Sequence, residues 1–133
     1  MLGRRVNKDV QERYSADQEL AGTYGDKLTA ATGAEQELRR AQAAGRPAAE
    51  LRELSNALDR AFADAILAAQ ASERVAMGTK TYASDDPKSA RPAEIARRKA
   101  AARWDVRPWT DEVDRLRTAR EAHKLSYRPV ART

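Results

Sequence analysis

Ala44-Gly45-Arg46-Pro47-Ala48 is the stretch that decides the fold, because an apolar-periodic segment runs away from it in each direction. Glycine suits the left-handed position that ends a helix, and proline suits the first position of the next one. Gly followed by Pro therefore reads as a stop and then a start. The competing picture is one long helix kinked at Pro47, and the order of the two residues favours the turn. A connection of about two residues forces the flanking helices antiparallel.

Downstream of the turn, Leu51, Leu54, Leu58, Ala61, Ala65, Ala68, Ser72 and Val75 hold a three-and-four spacing. Phe62, Ile66, Ala69 and Ala76 widen that stripe to about half the helix surface, more than a two-stranded seam needs. This second helix, 47–77, is expected to be a rod roughly 45 Å long that ends at Gly78. Upstream, Val10, Tyr14, Ala21, Tyr24, Leu28, Ala31 and Leu38 mark one face of a first helix over about 8–44, with Asn7 as its N-cap. Gly22 and Gly25 weaken a helix interior, and Thr32-Gly33-Ala34-Glu35 has the form of a capping box, so a break is expected between 22 and 32. Folding the chain at the turn sets Leu38 near Leu54, Leu28 near Ala65 and Tyr24 near Ala68. Asp17 and Glu35 fall on the same face; a partly covered face is favoured there over a polar registry contact.

Composition agrees with helices and little bulk. Of 133 residues, 28 are Ala, while Leu, Ile, Val and Phe together number 19. That is enough for one modest core, with close Ala-mediated packing that another subunit could complete. The absence of Cys excludes disulfides and thiolate chemistry and fits an intracellular chain. Arg4-Arg5 lacks the apolar stretch of a twin-arginine signal, and no run is long enough to span a membrane, so a cytoplasmic location is expected. Residues 1–76 carry 11 basic and 12 acidic side chains, and 77–133 carry 14 and 8. The second half therefore seeks anions.

That half begins with a linker, 79–91, rich in turn formers. Asp85-Asp86 beside Pro87 reads as a turn or helix cap rather than a cation site. Pro92 opens a third helix over about 92–104, weakly amphipathic, with Ile95 and Ala102 as its apolar line. Thr110 caps a fourth helix over about 111–125, with Asp111 and Glu112 in its first turn and Leu116, Ala119, His123 and Val113 on one face. Residues 1–6 form a short basic arm, and the tail from Tyr127 has no pattern.

The candidate chemistry is aromatic and basic residues interleaved around Trp104 and Trp109, a composition suited to nucleic acid. The candidate contacts to nucleic acid or an acidic partner are Arg97, Arg98, Lys99, Arg103, Arg107, Arg117, Arg120, Lys124 and Arg128. In a chain this poor in bulk, each Trp is itself expected in the core or an interface. A helix-turn-helix is disfavoured, because Asp111, Glu112 and Asp114 would meet the phosphates; the side and C-terminal end of the fourth helix are the expected contact. His123 is the only histidine and has no evident partner, so it is expected packed or half-exposed. No glycine-rich phosphate loop, metal cluster or catalytic constellation is visible.

These readings converge on an all-α fold: a long antiparallel hairpin (1–78), a linker (79–91) and a basic region with tail (92–133). Its helix–helix interface is expected at Tyr24, Leu28, Leu38, Leu51, Leu54, Leu58, Phe62, Ala65 and Ala68. The expected function is non-enzymatic and cofactor-free: an accessory or adaptor that self-associates or docks a partner through the hairpin, and binds nucleic acid non-specifically through the basic half. The alternative is a structural subunit of a large assembly, such as a virion-type connector, adaptor or capsid-associated protein.

Overall fold

The computed structural model describes residues 2–127, with side chains from residue 8 onward. Among these residues there are five α-helices and no strand: α1 (Leu2–Ala21), α2 (Tyr24–Ala43), α3 (Ala48–Met77), α4 (Ala90–Ala101) and α5 (Arg107–Ser126). Two 3₁₀ turns, Thr79–Thr81 and Pro87–Ser89, lie between α3 and α4. The all-α class holds. No helix among the described residues is long and apolar enough to cross a membrane.

The chain reverses after α2 because Gly45 takes φ of 68°, which costs a residue without Cβ nothing. Its N–H donates to the Gln42 carbonyl (3.1 Å), and the Arg46 N–H reaches back to Ala41 (3.0 Å). Those two bonds satisfy carbonyls that the end of α2 would otherwise leave open. Arg46 then forks onto the Glu50 carboxylate at 2.7 and 2.9 Å, tying the turn to the first residues of α3. At the far end of α3, Gly78 takes φ of 96° and stops the helix where the sequence predicts.

α3 is the centre of the molecule: α2, α5 and α1 all pack on it, and α4 barely touches it. The main core joins Ala31 and Leu38 of α2, Leu58, Phe62, Ala65, Ile66 and Ala69 of α3, and Val113 and Leu116 of α5. Tyr24, Leu28, Leu51 and Leu54 pack partly buried around it. Alanine lets the helices approach closely: Ala65, Ala68, Ala69 and Ala71 are fully buried. The wide stripe on α3 is thus covered by the chain's own α5 as well as by α2.

Several sequence expectations change. The first helix is two helices, broken only at Gly22-Thr23, and Gly25 lies inside α2. Thr32-Gly33-Ala34-Glu35 is not a capping box but mid-helix, because Ala31 and Leu38 hold that stretch against α3; packing overrides the local signal. The expected arm at 1–6 is helical from Leu2, and Asn7 lies within α1 rather than capping it. Asp17 is not on a merely uncovered face. Its carboxylate, 14% exposed, takes two hydrogen bonds from Arg74 at 2.8 and 2.9 Å and one from the Tyr82 hydroxyl, and so registers α1 against α3. Glu35 pairs only with Arg39, one turn away on its own helix.

The segment 79–91 is built rather than slack. Thr81 is buried, Arg13 of α1 donates to the Ala83 carbonyl and the Asp85 carboxylate, and Ser84, Asp86 and Ser89 bond to one another. Asp86 accepts from the Lys88 N–H (3.0 Å) as a cap for the second 3₁₀ turn, as its sequence context predicts. The third and fourth helices start earlier than expected, at Ala90 and Arg107. α4 buries Ala93 and Ala100, not Ile95 and Ala102, because its inner face meets the 3₁₀ turns. Thr110 is not a cap: it lies in the first turn of α5 and its hydroxyl donates to Glu73 at 2.6 Å. Tyr127, expected in a patternless tail, packs against the core beside His123. Arg128 and the rest of that tail lie outside the described residues.

Candidate nucleic-acid interface

Several of the predicted contact residues already have partners within the chain. Arg103 forks onto Asp105 at 3.1 and 2.9 Å and also donates to the carbonyls of Ala76 (2.8 Å) and Met77 (3.4 Å). It is a cap on the end of α3, and its guanidinium holds the Asp105 carboxyl below the usual carboxylate range. Arg120 forks onto Asp59 at 2.8 and 3.1 Å, clamping α5 to α3 and lowering the Asp59 pKa in the same way. Arg97 donates to the Thr81 carbonyl at 3.2 Å, and Arg98 to Glu94 at 2.9 Å. Lys99, Arg107, Arg117 and Lys124 remain exposed, with no ion-pair partner among the described residues.

The free cations are not spread evenly over the basic half. Residues 79–107 carry eight basic and four acidic side chains, whereas 108–127 carry four of each. On α5 the solvent side presents Asp111, Asp114 and Glu121, all exposed and unpaired among the described residues. Around α4 and the corner that leads into α5, Lys80, Arg91, Lys99 and Arg107 are exposed and unpaired, while Glu94 and Asp105 are already neutralised by Arg98 and Arg103. Unpaired positive charge is therefore densest on α4 and its two ends, whereas on the side of α5 it is interleaved with unpaired acids.

The two tryptophans separate. Trp109 is half-buried and packs against the Tyr24 ring in a T-shaped pair, centroids 5.1 Å apart at 89°. Trp104, expected in the core or an interface, is 86% exposed in the α4–α5 turn. Its place inside is taken by Val106, which is fully buried. That turn is firm: Arg103 anchors one side of it, and the Val106 N–H donates to the Arg103 carbonyl at 3.2 Å. Lys80 and Arg91 were not among the expected contacts, because nothing in their spacing sets them apart from cations that find partners.

Between the end of α3, the Thr79–Thr81 turn and α4 lies an open cavity of about 460 Å³. Lys80, Lys99 and Arg103 supply its charge and Met77, Ala96 and Ala100 its apolar wall; among the described residues no acidic side chain lines it. His123, by contrast, is half-buried as expected, with its Nε2 3.0 Å from the Ser55 carbonyl and its ring between Phe62 and Tyr127. It fixes α5 to α3 and has no carboxylate partner among the described residues. Compared with known proteins, the chain matches no family model, no curated protein and no solved structure.

Proposed function

We propose that this chain is a non-enzymatic helical accessory protein that binds nucleic acid without strong sequence preference, through α4 and the α4–α5 corner. The observation that carries the reading is the unpaired positive charge of Lys80, Arg91, Lys99 and Arg107 on one stretch whose acids are already paired or capping. Cations displayed without a base-reading element bind phosphates and release counterions, which gives affinity without sequence. In the same reading α2 and α3 form a helical hairpin, with α1 extending its first arm. Because α5 covers the α3 stripe, the hairpin serves to hold the basic corner rather than to offer its apolar face to a partner.

The test is binding of labelled duplex and single strand across a salt titration. Affinity is expected to fall steeply with salt. Substituting Arg91, Lys99 and Arg107 together by Ala should flatten that dependence by about 2 to 3 units in log–log slope. Arg117→Ala with Lys124→Ala should do much less, since the acids of α5 offset those charges. Absence of binding at low salt sinks the proposal, and a discrete high-order oligomer in light scattering without nucleic-acid binding would favour a structural subunit instead.

A further inference from the structure

We infer that the α4–α5 corner takes single-stranded rather than duplex nucleic acid, with an unpaired base on the ring of Trp104 and a neighbouring phosphate between Lys80 and Lys99; this rests on the nucleic-acid reading above. An indole at 86% exposure leaves nearly its whole apolar surface in water, a cost that a partner with a flat face would relieve. The ring is not on a slack loop. Arg103 ahead of it is pinned to the Ala76 and Met77 carbonyls and to Asp105, and Val106 behind it is fully buried. A ring carried on so fixed a turn loses little further freedom on binding.

Inside a duplex both faces of every base are already stacked, so a protruding Trp finds its complement only on unpaired bases. Any base offers a face, in keeping with binding that ignores sequence. The cavity supplies the second half of the site. It opens against Arg103, the residue directly before Trp104, and its rim carries Lys80 from the 3₁₀ turn and Lys99 from the last turn of α4. The carbonyls ending α3 would oppose an anion there, but Arg103 donates to two of them. That leaves the charge of Lys80 and Lys99 available, since neither has an acidic partner among the described residues. Two ammonium groups from different elements, facing one cavity without a carboxylate, suit a phosphodiester beside the stacked base.

Fluorescence anisotropy with an end-labelled thymidine strand of about twelve nucleotides, against a duplex of the same length, tests this over roughly 50 to 200 mM salt. The strand should bind tighter than the duplex at each salt concentration. Trp104→Ala should weaken the strand by about 5- to 100-fold and leave the duplex unchanged, with Trp104→Phe in between. Quenching of intrinsic fluorescence by the strand should vanish in Trp104→Phe, which retains Trp109. Lys80→Ala with Lys99→Ala should lower the strand's salt slope by about 1.4 units. Thermal melts should superimpose on wild type, as expected for exposed side chains. If duplex and strand bind alike, or if Trp104→Ala weakens both equally, the inference is wrong while the nucleic-acid reading stands. If neither binds at low salt, both fail.

Discussion

α5 sets Val113, Leu116 and the ring of His123 against α3, whereas α4 buries only Ala93 and Ala100 and is tied down by Arg97 and Arg103 reaching backbone carbonyls. A buried Leu or Val contributes about 1.5 to 3 kcal/mol by leaving water, and an Ala methyl a fraction of that. α5 is therefore held mainly by the hydrophobic effect, and α4 mainly by directional bonds from half-exposed guanidinium groups. The two helices are joined by one turn, yet they should respond to different perturbations. The part of the molecule that carries the free charge is also the part with the smallest core.

The sharpest way to break this contrast is to attack the shared core. Phe62→Ala leaves a cavity among α2, α3 and α5 and should cost about 3 to 5 kcal/mol, read as a lower urea midpoint for the whole molecule. Two separate transitions in that experiment would show that α4 does not depend on the core. Overpacking is the next largest effect: Ala65→Leu, at a position with no exposure, should cost about 1 to 3 kcal/mol. A melt matching wild type would mean that Leu28 and its neighbours do not close over Ala65.

Asp17→Asn tests the polar link between α1 and α3, and about 1 kcal/mol is expected because Arg74 is itself nearly half exposed. Its pH dependence has a definite sign. The Arg74 guanidinium lowers the Asp17 pKa against the opposing effect of burial, with the Tyr82 hydroxyl helping. The stabilisation is thus fully present above the unfolded value of about 3.9 and disappears as pH falls through the lower folded value. Wild type and Asp17→Asn should differ in urea midpoint at pH 6 to 7 and converge in strong acid, and a constant offset at every pH would refute the ion pair. Smallest of all is a local effect. Arg103→Ala should speed amide hydrogen exchange in α4 and the 79–81 turn while leaving the middle of α3 protected. A uniform loss of protection would put Arg103 in the global core.

The sequence made the α3 stripe readable because Leu51, Leu54, Leu58, Phe62 and Ile66 recur at helical spacing and end at a glycine that must take positive φ. Gly45 was readable for the same conformational reason. What it concealed were features decided between elements. Thr32-Gly33-Ala34-Glu35 carries a start signal that the packing of Ala31 and Leu38 overrides. Asp17 looked like a blemish on an apolar face, since Arg74 and Tyr82 lie far away in sequence. At the candidate site, composition showed a basic half but not which cations would be free. Arg103 and Arg120 are indistinguishable from Lys99 and Arg117 until their carboxylates and carbonyls are placed. Trp104 and Trp109 differ in exposure because Val106 fills the inner side of the turn, a choice that periodicity across a helix break does not reveal.

The cover that α5 lays over α3 also imposes an order on assembly. During synthesis α2 and α3 can pair as soon as both have emerged, because the turn between them is short and its closure entropy small. The rest of the α3 stripe then waits for α5, whose last residues follow Met77 by about 50 positions, or roughly 2 to 10 s of translation. For that interval Phe62 and Ile66 face water on the side that Val113 and Leu116 will later close. A nascent chain paused before α5 should therefore be captured by hydrophobic-binding chaperones more than one released after it, and ribosome-profiled chaperone pulldown would measure the difference.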